Sequence, residues 1–152
     1  MKKIIFICYG NICRSTMAEF VFKDMVNKKG LNDKFEIKSA ATSTENINED
    51  IHPGTQKKLN EVGVPFTHRL SVQFKKSDYD LYDYIVCMDE LNYNDLLKIV
   101  GHDKEQKIAK LLSFAGESAD IADPWFTDDF DATYNDVYKG CKALLEKLEK
   151  EI

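Results

Sequence analysis

The chain has 152 residues, of which 43% are hydrophobic, and a formal net charge of −5, enough apolar material for one core and one domain spanning residues 1–152. Its acidic balance, with a pI near 5.2, excludes nucleic acid and anionic membrane surfaces as main partners, because both select for basic patches. No apolar run approaches the roughly 20 residues needed to cross a bilayer, and the start, Met1-Lys2-Lys3 before a brief apolar stretch, is too short for a signal segment, so a cytoplasmic protein is expected; a monomer is the expected state, though these features do not bear on it.

Cys8, Cys13, Cys87 and Cys141 are too few and too scattered for a disulfide framework. His52, His68 and His102 lie far apart, and no cysteine pair has the spacing of a structural zinc site. No metal and no cofactor is expected.

Lys3 to Cys8 reads KIIFIC, a β-branched apolar run without alternation, which suits a strand buried on both faces of a parallel sheet. A polar loop follows from Tyr9 to Arg14, and Thr16-Met17-Ala18-Glu19 has the spacing of a capping box, predicting a helix to about Lys29 with Gly30 as its stop. Phe35 to Ala40 reads as a second strand, and a helix is predicted from His52-Pro53 to Gly63, with Leu59 and Val62 as its apolar contacts. Tyr84 to Met88 is a further apolar strand, Leu91 to Val100 a helix stopped by Gly101, Ile108 to Leu112 a weaker strand, and Phe114 to Phe126 a long loop. From Phe130 the apolar positions Tyr134, Val137, Tyr138, Cys141, Leu144, Leu145 and Leu148 recur at three and four, the stripe of a packed helix. Strands alternating with helices imply a three-layer α/β fold with a parallel sheet. The tyrosines at 79, 82, 84 and 93 read as packing.

The chemistry points to Cys8-Tyr9-Gly10-Asn11-Ile12-Cys13-Arg14-Ser15. A loop wound from a strand end into a helix N-terminus turns successive backbone N–H groups inward and makes a cradle for a phosphate dianion. The same dipoles favour a thiolate at its centre, making Cys8 a nucleophile, while Gly10 supplies backbone freedom and Asn11 braces the turn. Arg14 grips two phosphate oxygens with a planar fork, which lysine does not offer. The Ser15 hydroxyl eases the departure of the sulfur. A cysteine and an arginine at this spacing occur often by chance; the strand end, the glycine, the serine and the helix start together distinguish this pair.

A departing phenolate oxygen needs a proton, and Asp123-Pro124-Trp125-Phe126 supplies an acid followed by two aromatics suited to flank a phenyl ring. The competing reading is a turn whose aromatics belong to the core. Activity is expected to peak on the acidic side of neutral, since Asp123 must begin protonated while Cys8 is ionised. Cys13 is read either as a partner for a reversible, peroxide-driven disulfide with Cys8 or as a small loop residue. Cys87 and Cys141 read as core.

These residues resemble the low-molecular-weight protein tyrosine phosphatases, along the whole chain: the loop CYGNICRS, Ser39-Ala40-Ala41-Thr42-Ser43, Cys87-Met88-Asp89-Glu90, and Asp123-Pro124 before the last helix. The resemblance implies a four-stranded parallel twisted sheet with helices on both faces, Cys8 as nucleophile, Arg14 as clamp and Asp123 as general acid and then base. It further implies that Asn11, Ser39 and His68 form a hydrogen-bond network supporting the loop, and that the substrates are phosphotyrosine proteins or small aryl phosphates, with inorganic phosphate as product. Tyr9, Gly10, Asn11, Ile12, Cys13, Ser15, Trp125 and Phe126 are the expected binding residues. Tyr9 stands where leucine is usual, Thr16 where proline often opens the helix, and Glu45 where many members carry an aromatic, while Trp125 and Phe126 replace paired tyrosines. Thioredoxin-coupled arsenate reductases resemble this pattern too, but need two further cysteines close together, which Cys87 lacks. A silent phosphotyrosine-binding module has no use for nucleophile, clamp and acid together.

Overall fold

The computed structural model describes residues 1–152. Strand β1 (Lys2–Cys8) is followed by helix α1 (Arg14–Lys28), β2 (Phe35–Ala41), α2 (Pro53–Glu61), β3 (Tyr84–Cys87), α3 (Glu90–Val100), β4 (Ile108–Lys110), the short α4 (Pro124–Thr127) and α5 (Phe130–Glu149). The sheet runs β2-β1-β3-β4, with every neighbouring pair parallel. Successive side chains of β1 go to opposite faces. Ile4, Phe6 and Cys8 join the core under α1 and α5, and Ile5 and Ile7 join the one under α3. Both faces are therefore covered, which is why the strand reads as an unbroken apolar run rather than an alternation.

Helix α5 places Val137, Cys141, Leu144, Leu145 and Leu148 in the first core as its periodicity predicts, while Tyr138 lies exposed at the edge of the stripe. At Gly140 it packs so closely that a Cβ would come within 2.5 Å of Leu111 Cγ. Tyr79 and Tyr82 are buried in the second core, with Tyr93 packed against it, and Tyr84 packs against the first.

Several boundaries differ from expectation. Helix α1 begins at Arg14, and Thr16 is no cap: its hydroxyl donates to the Cys13 carbonyl at 2.9 Å, and Glu19 turns to Ser39 and Lys23. The capping box fails because the loop passes straight into the helix without a capping side chain, leaving its first amides free. Helix α2 ends at Glu61, ahead of Gly63 with its φ of +73°. Strand β4 stops at Lys110, where Leu111–Ala115 tightens into a 3-10 turn, and the segment read as a loop contains the helical turn α4.

The chain steps from β1 outward to β2, then crosses to β3 on the other side of β1. Ligands of such sheets bind at the carboxyl ends of the strands flanking the reversal, and here those ends deliver Cys8 from β1 and Cys87-Met88-Asp89 from β3.

Candidate active site

The loop leaving β1 is held by its carbonyls. Tyr9 O accepts from Ser43 N and Oγ at 3.1 and 2.9 Å, Gly10 O from Ser71 Oγ at 3.0 Å, Asn11 O from Arg69 Nη1 at 2.9 Å, and Ile12 O from His52 N at 2.9 Å. Cys13 O accepts from Met17 N, Thr16 Oγ1 and Thr55 Oγ1. In a trans peptide the C=O of one residue and the N–H of the next point opposite ways. Five consecutive carbonyls tied outward therefore turn the amides of residues 10 to 14 inward. Of these, Asn11 N donates to Cys8 Sγ at 3.2 Å, and those of Gly10, Ile12, Cys13 and Arg14 have no protein acceptor. This is an anion cradle built around a sulfur.

Asn11 takes a φ of +58°, a left-handed conformation that asparagine tolerates better than most residues. Its side-chain NH2 donates to Ser15 Oγ at 2.8 Å, and Ser15 Oγ lies 3.0 Å from Cys8 Sγ. Arg69 Nη2 and Val72 N both donate to Asn11 Oδ1.

The arrangement corrects one expectation. The network of Asn11, Ser39 and His68 does not form: Ser39 Oγ donates to Glu19, and His68, 75% exposed, pairs with Asp50. Ser39 lies in the middle of β2, two residues short of the strand end beside Cys8, and His68 points to solvent, so neither reaches the loop. Arg69 takes the supporting place instead. One sequence signal was available, since the chain has only two arginines among its 21 basic residues, Arg14 and Arg69.

The Arg14 side chain is only 3% exposed, with Nη1 donating to Asp89 Oδ2 at 2.6 Å and Ile121 O at 2.9 Å, and Nη2 to Asp123 Oδ2 at 3.5 Å. Burial works against its charge, but Cys8, Asp89 and Asp123 together hold the guanidinium above its ordinary value. Asp89, two residues past the end of β3, is a second site residue to which the sequence alone assigns no role. It also caps α3 by accepting from Asn92 N at 2.7 Å.

Asp123 caps α4, its Oδ1 accepting from Trp125 N at 3.0 Å, which aims Oδ2 towards Arg14. Trp125 and Phe126 are 59% and 83% exposed and line the cleft, so they are rim residues and not core. His52 lies edge-on to Trp125 at 5.8 Å. The cleft measures about 130 Å³ and is lined by Cys8, Tyr9, Gly10, Ile12, Cys13 and Arg14 at its base, with Glu45, Asn46, Asp123, Trp125 and Phe126 around them. A larger cleft of about 400 Å³ between α1 and β2, lined by Phe20, Phe35, Ile37 and Phe66, has no cysteine. Burial, with Cys8 nearby, pushes the Cys13 thiol up to about 12, and burial likewise pushes Cys87 to about 12.

A thiol in a ring of inward amides, an arginine at its edge and a carboxylic acid at its mouth define a cysteine-dependent phosphatase. The family model for low molecular weight phosphotyrosine protein phosphatase matches residues 3–152. The chain is 37% identical to low molecular weight protein-tyrosine-phosphatase YfkJ of Bacillus subtilis, covering 99% of this chain and 98% of that one. It is 35% identical to PtpA of Staphylococcus aureus, with 99% and 96% covered. The crystal structure of YfkJ superposes with a TM-score of 0.96 over 99% of this chain and 96% of that chain. SP-PTP of Streptococcus pyogenes, 38% identical, gives 0.88 over 97% and 93%. The chain belongs to the low molecular weight protein tyrosine phosphatases, enzymes that hydrolyse phosphotyrosine through a phosphorylated cysteine.

Proposed function

We propose that Cys8, Arg14 and Asp123 carry this reaction, with phosphotyrosine proteins and small aryl phosphates as substrates and inorganic phosphate as product. Cys8 Sγ attacks phosphorus in line, the bond from phosphorus to the phenolic oxygen breaks, and Asp123 gives that oxygen its proton. Asp123, now a carboxylate, takes a proton from water. The water oxygen bonds to phosphorus, and the sulfur leaves as a thiolate that the Ser15 hydroxyl and Asn11 amide receive. Throughout, the amides of Gly10, Ile12, Cys13 and Arg14 and the Arg14 fork face the phosphoryl oxygens, whose charge is spread most widely in the transition state. Tyr9, Trp125 and Phe126 flank the ring.

The observation carrying this reading is the outward tethering of five successive loop carbonyls, which aims the intervening amides at Cys8. The nucleophile, fork and acid all come from one chain, so a monomer suffices. Four free cysteines suit a reducing, cytoplasmic setting, and no helix is long and apolar enough to cross a membrane. The test is steady-state hydrolysis of phenyl phosphate and a phosphotyrosine peptide by the wild-type chain and by Cys8→Ser. Turnover that disappears in the variant supports the assignment, and turnover that survives it refutes the role of Cys8.

A further inference from the structure

Glu45 stands at the cleft on the loop after β2. Tyr9 Oη donates to its Oε1 at 2.6 Å, and the carboxylate has no lysine or arginine partner, unlike many of the surface acids, which are paired with lysines. The only cation lining the cleft is Arg14, buried at its base and already paired with Asp89 and Asp123. Glu45 is thus an unneutralised negative charge, held in place beside an entrance built for dianions.

Its position is fixed relative to the phosphate cradle. Ser43 binds the Tyr9 carbonyl through both N and Oγ, and Ser43 Oγ accepts from Glu45 N at 3.4 Å. Asn46 closes over Gly10 so tightly that a Cβ there would lie 2.5 Å from Asn46 Oδ1. The Tyr9 hydroxyl is held above its ordinary ionisation range, chiefly by its bond to Glu45, so it stays a donor.

Resting on the function proposed above, we infer that Glu45, oriented by Tyr9, is a specificity-determining residue that selects phosphotyrosine sites flanked by lysine or arginine. With the phosphate on the loop amides, the aryl ring fills the narrow cleft and the substrate backbone lies at the mouth, where its neighbouring side chains meet this carboxylate. A guanidinium or ammonium there pairs with Oε2, while a flanking aspartate or glutamate is repelled both by Glu45 and by the net negative chain. An exposed pair is worth little in isolation, but attraction on one side and repulsion on the other add, giving a contrast of roughly threefold to tenfold in kcat/KM.

The experiment uses two phosphotyrosine peptides that differ only in carrying lysine or glutamate on both sides of the phosphotyrosine. The ratio of their kcat/KM values is measured for wild type, Glu45→Gln, Glu45→Lys and Tyr9→Phe, at low and high salt. Because the quantity is a ratio within each variant, a general loss of activity does not disturb it. The wild type is expected to favour the lysine peptide, Glu45→Gln to bring the ratio near one, Glu45→Lys to invert it, and Tyr9→Phe to reduce it by freeing the carboxylate. Added salt shrinks the wild-type ratio. A wild-type ratio of one, or a preference unchanged in Glu45→Gln, overturns the inference while leaving the catalytic assignment standing. If the wild type turns over neither peptide nor p-nitrophenyl phosphate, the catalytic assignment falls and this inference with it.

Discussion

The guanidinium of Arg69 grips both oxygens of Asn11, the backbone carbonyl through Nη1 at 2.9 Å and the side-chain carbonyl through Nη2. Asn11 in turn gives one hydrogen bond to Cys8 Sγ and one to Ser15 Oγ. A cation from a distant segment is thereby linked to the Cys8 sulfur through a single residue. Burial works against the Arg69 charge, and Glu19, Cys8 and Asp50 act the other way, with a net lowering. Asp50 accepts from Arg69 N at 3.1 Å and so anchors the segment that presents the side chain.

Arg69→Met removes two charge-assisted bonds from a residue held at positive φ. Such bonds are each worth about 1.5–3 kcal/mol; with about half of the combined loss felt in the transition state, kcat is expected to fall roughly 10- to 100-fold, with alkylation of Cys8 slowing in parallel. Arg69→Lys keeps the charge and loses the fork, and falls between. Equal kcat in Arg69→Met and wild type contradicts the positioning role.

Arg14→Lys and Asp123→Asn separate clamp from acid. Losing the fork lowers kcat about 10³-fold or more on every substrate. Losing the proton donor lowers it about 10²- to 10⁴-fold on phenyl phosphate, and much less on a substrate with a good leaving group such as nitrophenolate. A leaving-group dependence no steeper in Asp123→Asn than in wild type argues that some other group supplies the proton.

The site was unevenly legible in the sequence. Strand β1, the loop and α5 were clear because their signals are local: an unbroken apolar run, a motif of eight residues and a three-four stripe. The start of α1 differs from its sequence signal because Thr16 and Glu19 have capping spacing while their side chains serve other partners, the Cys13 carbonyl and Lys23 nearby and Ser39 on β2. Arg69 carries no local signal for a related reason. Its role depends on the segment at 69–74 folding back over the loop and the end of β2, through Ser71 to Gly10 and Phe74 to Ala41, a contact that no local periodicity announces. His68, beside it, is the residue the resemblance implies, but it faces solvent.

Cys13 lies in the same cleft as Cys8, with its thiol pushed up to about 12 by burial first and by Cys8 second. A raised value keeps the thiol protonated throughout the neutral range, so iodoacetate at pH 7 is expected to label Cys8 and spare Cys13, whose labelling rises only as pH approaches 12 or the chain unfolds. Peroxide oxidises the Cys8 sulfur to a sulfenic acid. Cys13 sulfur then attacks the Cys8 sulfur and water leaves, forming a disulfide. Peptide mapping is expected to find the Cys8–Cys13 link, with activity restored by dithiothreitol. Cys13→Ser is expected to lose activity irreversibly, and full recovery in that variant argues against the disulfide.

The seat of α5 is testable at Gly140. Alanine gains about 1 kcal/mol in helix propensity, but its Cβ meets Leu111 Cγ at 2.5 Å and the Leu111 carbonyl at 3.2 Å, and overpacking costs about 1–3 kcal/mol. Gly140→Ala is therefore expected to lower Tm by a few degrees, as followed by calorimetry. A higher Tm means that the 3-10 turn at Leu111–Ala115 yields.

The most direct measurement is of the intermediate itself. Asp123→Ala, mixed with p-nitrophenyl phosphate and quenched in acid, keeps the first step with this leaving group and slows the second, so one phosphoryl group is expected on the peptide bearing Cys8, and none in Cys8→Ser. Brisk release of nitrophenolate with the phosphoryl group found on another side chain, or with the same yield in Cys8→Ser, contradicts the account.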